Sequence, residues 1–348
     1  MDDSMSSSRL LFFVSLALTV FACKEEIPQA PELPSAQSNR LVYVINEGNF
    51  QWGNATITRF DRISKQKTHD DFFESANQRP LGDVAQSITF HNGLAYLVIN
   101  NSSKIEVVDS TTFVTKGVIS GLTSPRYLLP VGGNKAYVTD IYSNCIWVVN
   151  LNTRTLIKTI PCRGWTEELL LHNGKVWVTN LRTNYLYRIN PVTDILEDSV
   201  LLGFPAGSLV TDAGNKLWVL CSQVLQANAP SRLMQLNAQG TQVLKVFDLG
   251  TGAGKVLRTS PDRMQLYWIK GNIYSMHMTA DSLPVSPLIT KQSGENFYSL
   301  GIDPVSGEIY AGDALDYVQK GNVKCFTPAG AFITSFKAGI TPGNFAFN

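Results

Sequence analysis

Seven times along this chain an aromatic residue sits in one short frame, a Gly, Asn or similar turn residue followed by x-[aromatic]-[apolar]-x-[polar]. The copies centre on Tyr43, Tyr96, Tyr137, Trp177, Trp218, Tyr267 and Tyr310, with spacings of 53, 41, 40, 41, 49 and 43 residues. A period of about 40 residues made of short alternating strands marks a β-propeller, in which each repeat is one four-stranded blade. The cleanest copy predicts strands at Arg126 to Val131, Lys135 to Thr139, Cys145 to Val149 and Leu156 to Ile160. Within each run apolar and polar residues alternate, and Gly, Asn or Pro bounds it. Glu167 to Leu171, Lys175 to Thr179, Tyr185 to Ile189 and Ile195 to Leu201 repeat the pattern.

The chain ends decide whether the ring closes. Leu41 to Ile45 corresponds to a second strand, whereas Gly343 to Asn348 resembles a first strand. The C-terminus is therefore expected to supply the innermost strand of the blade that the N-terminus begins, which pairs the two open edges. The fold class is all-β, a seven-bladed propeller over residues 41–348.

Residues 1–22 read differently. Arg9 precedes an uncharged apolar run, Leu10 to Ala22, too short to span a bilayer and suited to the h-region of a secretory signal. Its end, Val20-Phe21-Ala22-Cys23, resembles a bacterial lipoprotein signal, which implies cleavage before Cys23 and acylation of Cys23. Acyl chains anchor by about 0.8 kcal/mol per buried CH₂. Pro28, Pro31 and Pro34 make residues 23–40 an extended tether. Lys24-Glu25-Glu26 resembles the signal that sends lipoproteins of Bacteroidota-type bacteria to the outer face of the outer membrane.

Lys plus Arg is 29 and Asp plus Glu is 28, so no broad field exists to hold nucleic acid. Beyond Cys23 the four cysteines show no C-x-x-C or Cys/His cluster that would suggest zinc. Cys145 and Cys162 flank the turn Asn152-Thr153-Arg154-Thr155, and mirroring the strands about it sets them opposite each other. They form either a cross-strand disulfide or two buried thiols. Cys221 and Cys325 fall in different repeats.

Propeller topology locates candidate sites. Connections from second to third and from fourth to first strands emerge at one face, and the tight first-to-second turns at the other. His91 and His172 occupy equivalent tight hairpins and read as turn residues. Three residues beyond each repeat aromatic stand Asn46, Asp140, Asn180, Cys221, Lys270 and Asp313, with Asn100 one residue further. Their neighbours in the longer connections include Asn49, Phe50, Trp52, Tyr142, Trp165, Arg182, Gln223, Asp316 and Tyr317. Short polar side chains that orient a ligand's edge, beside flat aromatic rings, make a small-molecule surface. Asn and Asp also form turns in their own right, which is the competing reading of the repeated positions.

No Gly-x-Ser-x-Gly elbow, phosphate loop, His-Glu-x-x-His or dinucleotide fingerprint is present. Propeller lyases use metal-binding histidines at the channel mouth, and neither His69 nor His277 falls in such a slot. Asp140, Asp313, Glu47 and Lys270 are the groups left to serve a lyase or hydrolase. The expectation is a protein without enzymatic activity, cofactor or metal.

Tyr137-Val138-Thr139-Asp140 and Trp177-Val178-Thr179-Asn180 resemble the repeat of the Tyr-Val-Thr-Asn (YncE-like) family of secreted and surface seven-bladed propellers, over residues 41–348. That resemblance implies a fold and leaves the role open. More narrowly, Asn46-Glu47-Gly48-Asn49-Phe50 following a lipoprotein signal resembles the BtuG family of surface lipoproteins. It implies capture of cobalamin or another corrinoid and delivery to a TonB-dependent outer-membrane transporter. The rival expectation is a scaffold whose face docks a protein or an envelope glycan.

Overall fold

In the computed structural model, the described residues are 41–222 and 228–348. The expectations for the signal, Cys23 and the tether, and for Gln223, lie outside them. Among the described residues the strands form seven antiparallel sheets, six of four strands and one of three. These are the blades of the expected propeller. Leu41–Asn46, Lys135–Asp140 and Lys175–Asn180 are second strands, each ending one residue beyond the sequence reading.

Ring closure is as expected. The last strand, Pro342–Phe347, pairs with Leu41–Asn46 through Val42↔Phe347, Tyr43↔Ala346 and Val44↔Phe345. It is therefore the innermost strand of the first blade. Phe345 and Phe347 stand 6.1 and 5.8 Å from the ring of Tyr310 in the seventh blade, so the closing strand also seals an inter-blade core.

All seven repeat aromatics are buried, none more than 2 % exposed. Each is a member of a core between neighbouring blades, and seven such cores account for the seven blade contacts of the ring. The repeat thus records which side chain fills each inter-blade seam.

The two irregular spacings have local causes. Between Tyr43 and Tyr96 the chain inserts helix α1, Phe72–Asn77, N-capped by Asp71, whose carboxylate accepts from the amides of Phe73 and Glu74. Phe72 and Phe73 bury its apolar side. Between Trp218 and Tyr267 lies the nine-residue strand Val243–Thr251.

The cysteine expectation resolves to free thiols. The hairpin closes at Asn150↔Thr155, centred one residue earlier than expected, and the bulge at Val148/Val149 recovers only part of that offset, so Cys145 faces Pro161, while the amide of Cys162 donates to the carbonyl of Asn144. Cys145, Cys162, Cys221 and Cys325 are all free and buried. Burial pushes the Cys162 thiol up to about 12, far from the reactive range. No helix among the described residues is long and apolar enough to cross a membrane.

Candidate functional site at the channel mouth

The innermost strands begin with the same defect. Their registers against the second strands slip by one residue near the start, at Pro342/Asn344, Ala85/Ser87, Pro125/Leu128, Thr166/Leu169, Ala206/Ser208, Lys255/Leu257 and Phe297/Ser299. A β-bulge re-aims the side chain it carries. Seven bulges in one ring re-aim theirs to the channel, where Gln86, Arg126, Tyr127, Glu167, Glu168 and Tyr298 line a cavity of about 290 Å³. Gly343 and Gly207 occupy the same slot and leave it room.

The Thr of the repeat has its reason here. Thr139 and Thr179 each turn a hydroxyl to the bulge opposite, accepting from the amides of Tyr127 at 3.0 Å and Glu168 at 2.9 Å. These amides lose their ladder partners at the bulge and would otherwise be unsatisfied.

Charge in the cavity is arranged in pairs. Arg126 forks onto Glu167, with Nη2–Oε1 at 2.6 Å and Nε–Oε2 at 2.9 Å, and also reaches the side-chain carbonyl of Gln86. Arg258 donates to Glu168 at 3.0 Å, and Ser208 donates to the other oxygen of Glu168 at 2.7 Å. Glu47 stands apart, touched by the hydroxyl of Tyr298 at 3.4 Å. Burial pushes the Glu47 carboxyl up to about 7, against the lowering influence of the Arg126 charge. Gly343 is where Glu47 lies, because any Cβ there would collide with its side chain.

The cavity opens at the end bearing the second-to-third strand connections, the face singled out from topology. Several of the expected ligand-binding residues are nonetheless turned away from it. Asn46, Asn100, Asp140, Asn180 and Asp313 are all buried. Asp140 accepts from the amides of Ser124, Tyr142 and Ser143 and from the indole of Trp147. Asn180 accepts from the amides of Arg182 and Thr183 and donates to the carbonyl of Arg163. Asp313 takes the amides of Asn296 and Leu315, Asn100 donates to Ser124 and Pro125, and Asn46 to Thr56 and Thr58. These side chains tie down their own loops, as short Asx side chains do. Lys270 likewise donates to the carbonyl of Leu249.

The aromatic members of the set do reach the face. Phe50, Trp52, Tyr142 and Tyr317 are exposed, Trp52 to 77 %. They fall into two clusters. In the first, Asn49 donates to the carbonyl of Tyr317 at 3.0 Å and the amide of Gln51 to Asp83 at 2.9 Å, which fixes the loop carrying Phe50 and Trp52 on both sides. Asp316 caps its own turn through the amides of Val318 and Gln319. In the second, Trp165 packs edge-on to Tyr142 at 5.7 Å, and the Arg182 guanidinium lies 4.2 Å over its ring. With Ile141, Asn144 and Gly164 these residues line a surface depression of about 320 Å³. The clusters belong to blades seven and one and to blades three and four, across the mouth from each other. Tyr317 joins the first cluster to the channel, since its ring meets that of Tyr298 at 5.5 Å.

Neither expected turn histidine enters this face. His172 is buried and bonds the carbonyl of Ala238 at 2.7 Å, and His91 ends its strand at the tight Asn92-Gly93 turn.

Fold and site together define a seven-bladed propeller with a bulge-lined, charge-paired channel mouth ringed by exposed aromatics. The chain belongs to the family described as "Domain of unknown function (DUF5074)", whose model matches residues 41–320. No curated protein matches the sequence. Among solved structures, a quinonprotein alcohol dehydrogenase-like protein from Bacteroides thetaiotaomicron is 16% identical, with 89% of this chain and 78% of that chain covered and a TM-score of 0.69. Hydrazine synthase from Kuenenia stuttgartiensis is 14% identical over 75% of this chain and 88% of that chain, at a TM-score of 0.64. A protein from Lactobacillus plantarum is 14% identical over 89% and 99%, also at 0.64. Likeness at these identities shows the fold alone.

Proposed function

We propose that this propeller is a non-catalytic capture protein that binds a small nutrient, by its resemblance a corrinoid, on the face at the channel mouth. The observation that carries the reading is the pair of exposed aromatic clusters, Phe50, Trp52 and Tyr317 on one side and Tyr142, Trp165 and Arg182 on the other. Large exposed aromatics on rigidly held loops mark interaction surfaces, and such anchors dominate binding energy. A corrinoid is broad, roughly planar and fringed with amides, which suits two flat apolar platforms separated by a polar mouth. Arg126 and Arg258 engage Glu167 and Glu168, which leaves neither of these two carboxylates poised for proton transfer.

The N-terminal features complete the proposal. An acylated Cys23 and the tether to residue 40 hold the domain at the outer face of the outer membrane, where it passes ligand to a TonB-dependent transporter. Cobalamin absorbs strongly, so its binding beside Trp52 and Trp165 quenches their fluorescence. Quenching that is lost in Trp52→Ala with unfolding unchanged supports the reading. Unaltered fluorescence favours a scaffold that docks protein or glycan.

A further inference from the structure

The ion pairs of the channel leave over one cation, Lys255, and one carboxyl, Glu47. Arg126 is matched to Glu167 and Arg258 to Glu168. Lys255, which also lines the cavity, has no salt-bridge or hydrogen-bond partner among the described residues, and its ammonium lies 4.9 Å from the ring centroid of Tyr298. Tyr298 in turn stands between Lys255 and Glu47. Tyr127, Leu181, Leu220 and Leu300 supply the apolar wall. A buried-walled pocket of this size, with a lysine outside any ion pair and burial favouring the neutral form of the remaining carboxyl, suits a small ligand of negative charge.

We infer that the channel mouth is a subsite for a small organic carboxylate, its charge taken by Lys255 and its apolar body lying against Tyr298, Tyr127 and the leucines. The charge count agrees. When Glu47 is neutral, Arg126, Arg258 and Lys255 face two carboxylates, Glu167 and Glu168, and the cavity carries one net positive charge. When Glu47 ionises, that charge is cancelled and a second anion crowds the ligand. The groups facing Glu47 are Tyr298, Arg126, Glu167 and Lys255, and burial outweighs the two cations. A bound carboxylate raises the proton affinity of Glu47 further, so binding takes up a proton near neutrality, and affinity falls as pH rises through about 7. The subsite adjoins the aromatic rim through the contact of Tyr298 with Tyr317, and it is tested without corrinoid present.

Titration of carbon-13-labelled benzoate into the protein, followed by NMR at about pH 6 and about pH 8.5, tests the inference. Binding is expected to be at least about tenfold weaker at the higher pH. Glu47→Gln, which copies the neutral carboxyl, should bind with one affinity at both. Lys255→Met and Lys255→Gln should each bind at least about tenfold more weakly at the lower pH, and benzamidine, of the same shape and opposite charge, should not compete. His91→Ala on the far face should match the unaltered protein. Absence of benzoate binding at about 10 mM, binding indifferent to pH, binding retained by both Lys255 variants, or competition by benzamidine would each overturn it. A protein that quenches with cobalamin but ignores benzoate loses this inference alone, and one that binds benzoate but not cobalamin loses the rim reading alone.

Discussion

Arg126 and Glu167 occupy the same bulge in neighbouring blades, and their side chains meet over the channel with Nη2–Oε1 at 2.6 Å and Nε–Oε2 at 2.9 Å. Both are largely buried, at 20 % and 8 % side-chain exposure. Removing one partner of such a pair leaves the other charge uncompensated, whereas removing both does not.

Arg126→Gln and Glu167→Gln should therefore each lower unfolding free energy by about 3 kcal/mol, and the double variant carrying both by less than the sum of these singles. Denaturant unfolding of the four proteins reads this coupling. Strict additivity would show that solvent, not pairing, holds the two charges.

Loop anchoring by buried Asx side chains makes a second prediction, opposite in kind to one read from the ring of polar residues alone. Asp140→Ala should destabilise by about 3 kcal/mol, because five donors lose their acceptor, and Thr179→Val by about 1 kcal/mol through the amide of Glu168. Thermal unfolding checks both. An Asp140→Ala protein of full stability would return that residue to the candidate ligand set.

Closure by the last strand predicts a cooperative loss. Deleting residues 343–348 removes the pairing to Leu41–Asn46 and the packing of Phe345 and Phe347 on Tyr310, and should lower Tm by more than about 10 °C. Equal melting of the truncated and full chains would mean that the ring does not depend on this seam.

Glu47 gives stability a pH dependence of known sign. Its folded value of about 7 lies above the ordinary carboxylate value of 4.5, so between the two the folded state holds more protons than the unfolded chain. Stability then falls as pH rises through that window, and the full penalty of about 3 kcal/mol is present above about pH 7 and absent below about pH 4.5. Glu47→Gln should accordingly raise Tm by several degrees at about pH 8.5 and leave it unchanged at about pH 4.5. A uniform shift at both values would contradict the burial of an ionisable Glu47.

What sequence could disclose follows from what each residue does. The seven aromatics were legible because one residue type fills every inter-blade seam. The closing strand was legible because each end of the chain lacked the strand that the other supplies. The bulges were not, since a one-residue slip leaves no fixed residue type behind. A signal did exist in the polar pair at the head of otherwise apolar strands, Arg126-Tyr127 and Glu167-Glu168. A hairpin that closes at Asn150↔Thr155, centred one residue earlier than the expected turn, kept Cys145 off Cys162. Asn and Asp at the strand exits were placed at the correct face, but position cannot tell a side chain aimed at ligand from one folded back on its own turn. The exposed aromatics were easier, because Trp52 and Tyr142 have no turn to cap.

Isothermal titration of the protein with cobalamin, alongside its precursor cobinamide, tests the central claim most directly. Capture from dilute surroundings predicts a saturable heat with Kd on the order of nanomolar, about −12 kcal/mol, and a large loss of affinity in Trp52→Ala and Tyr317→Ala. No binding of either corrinoid at tens of micromolar, in protein that unfolds normally, would contradict it.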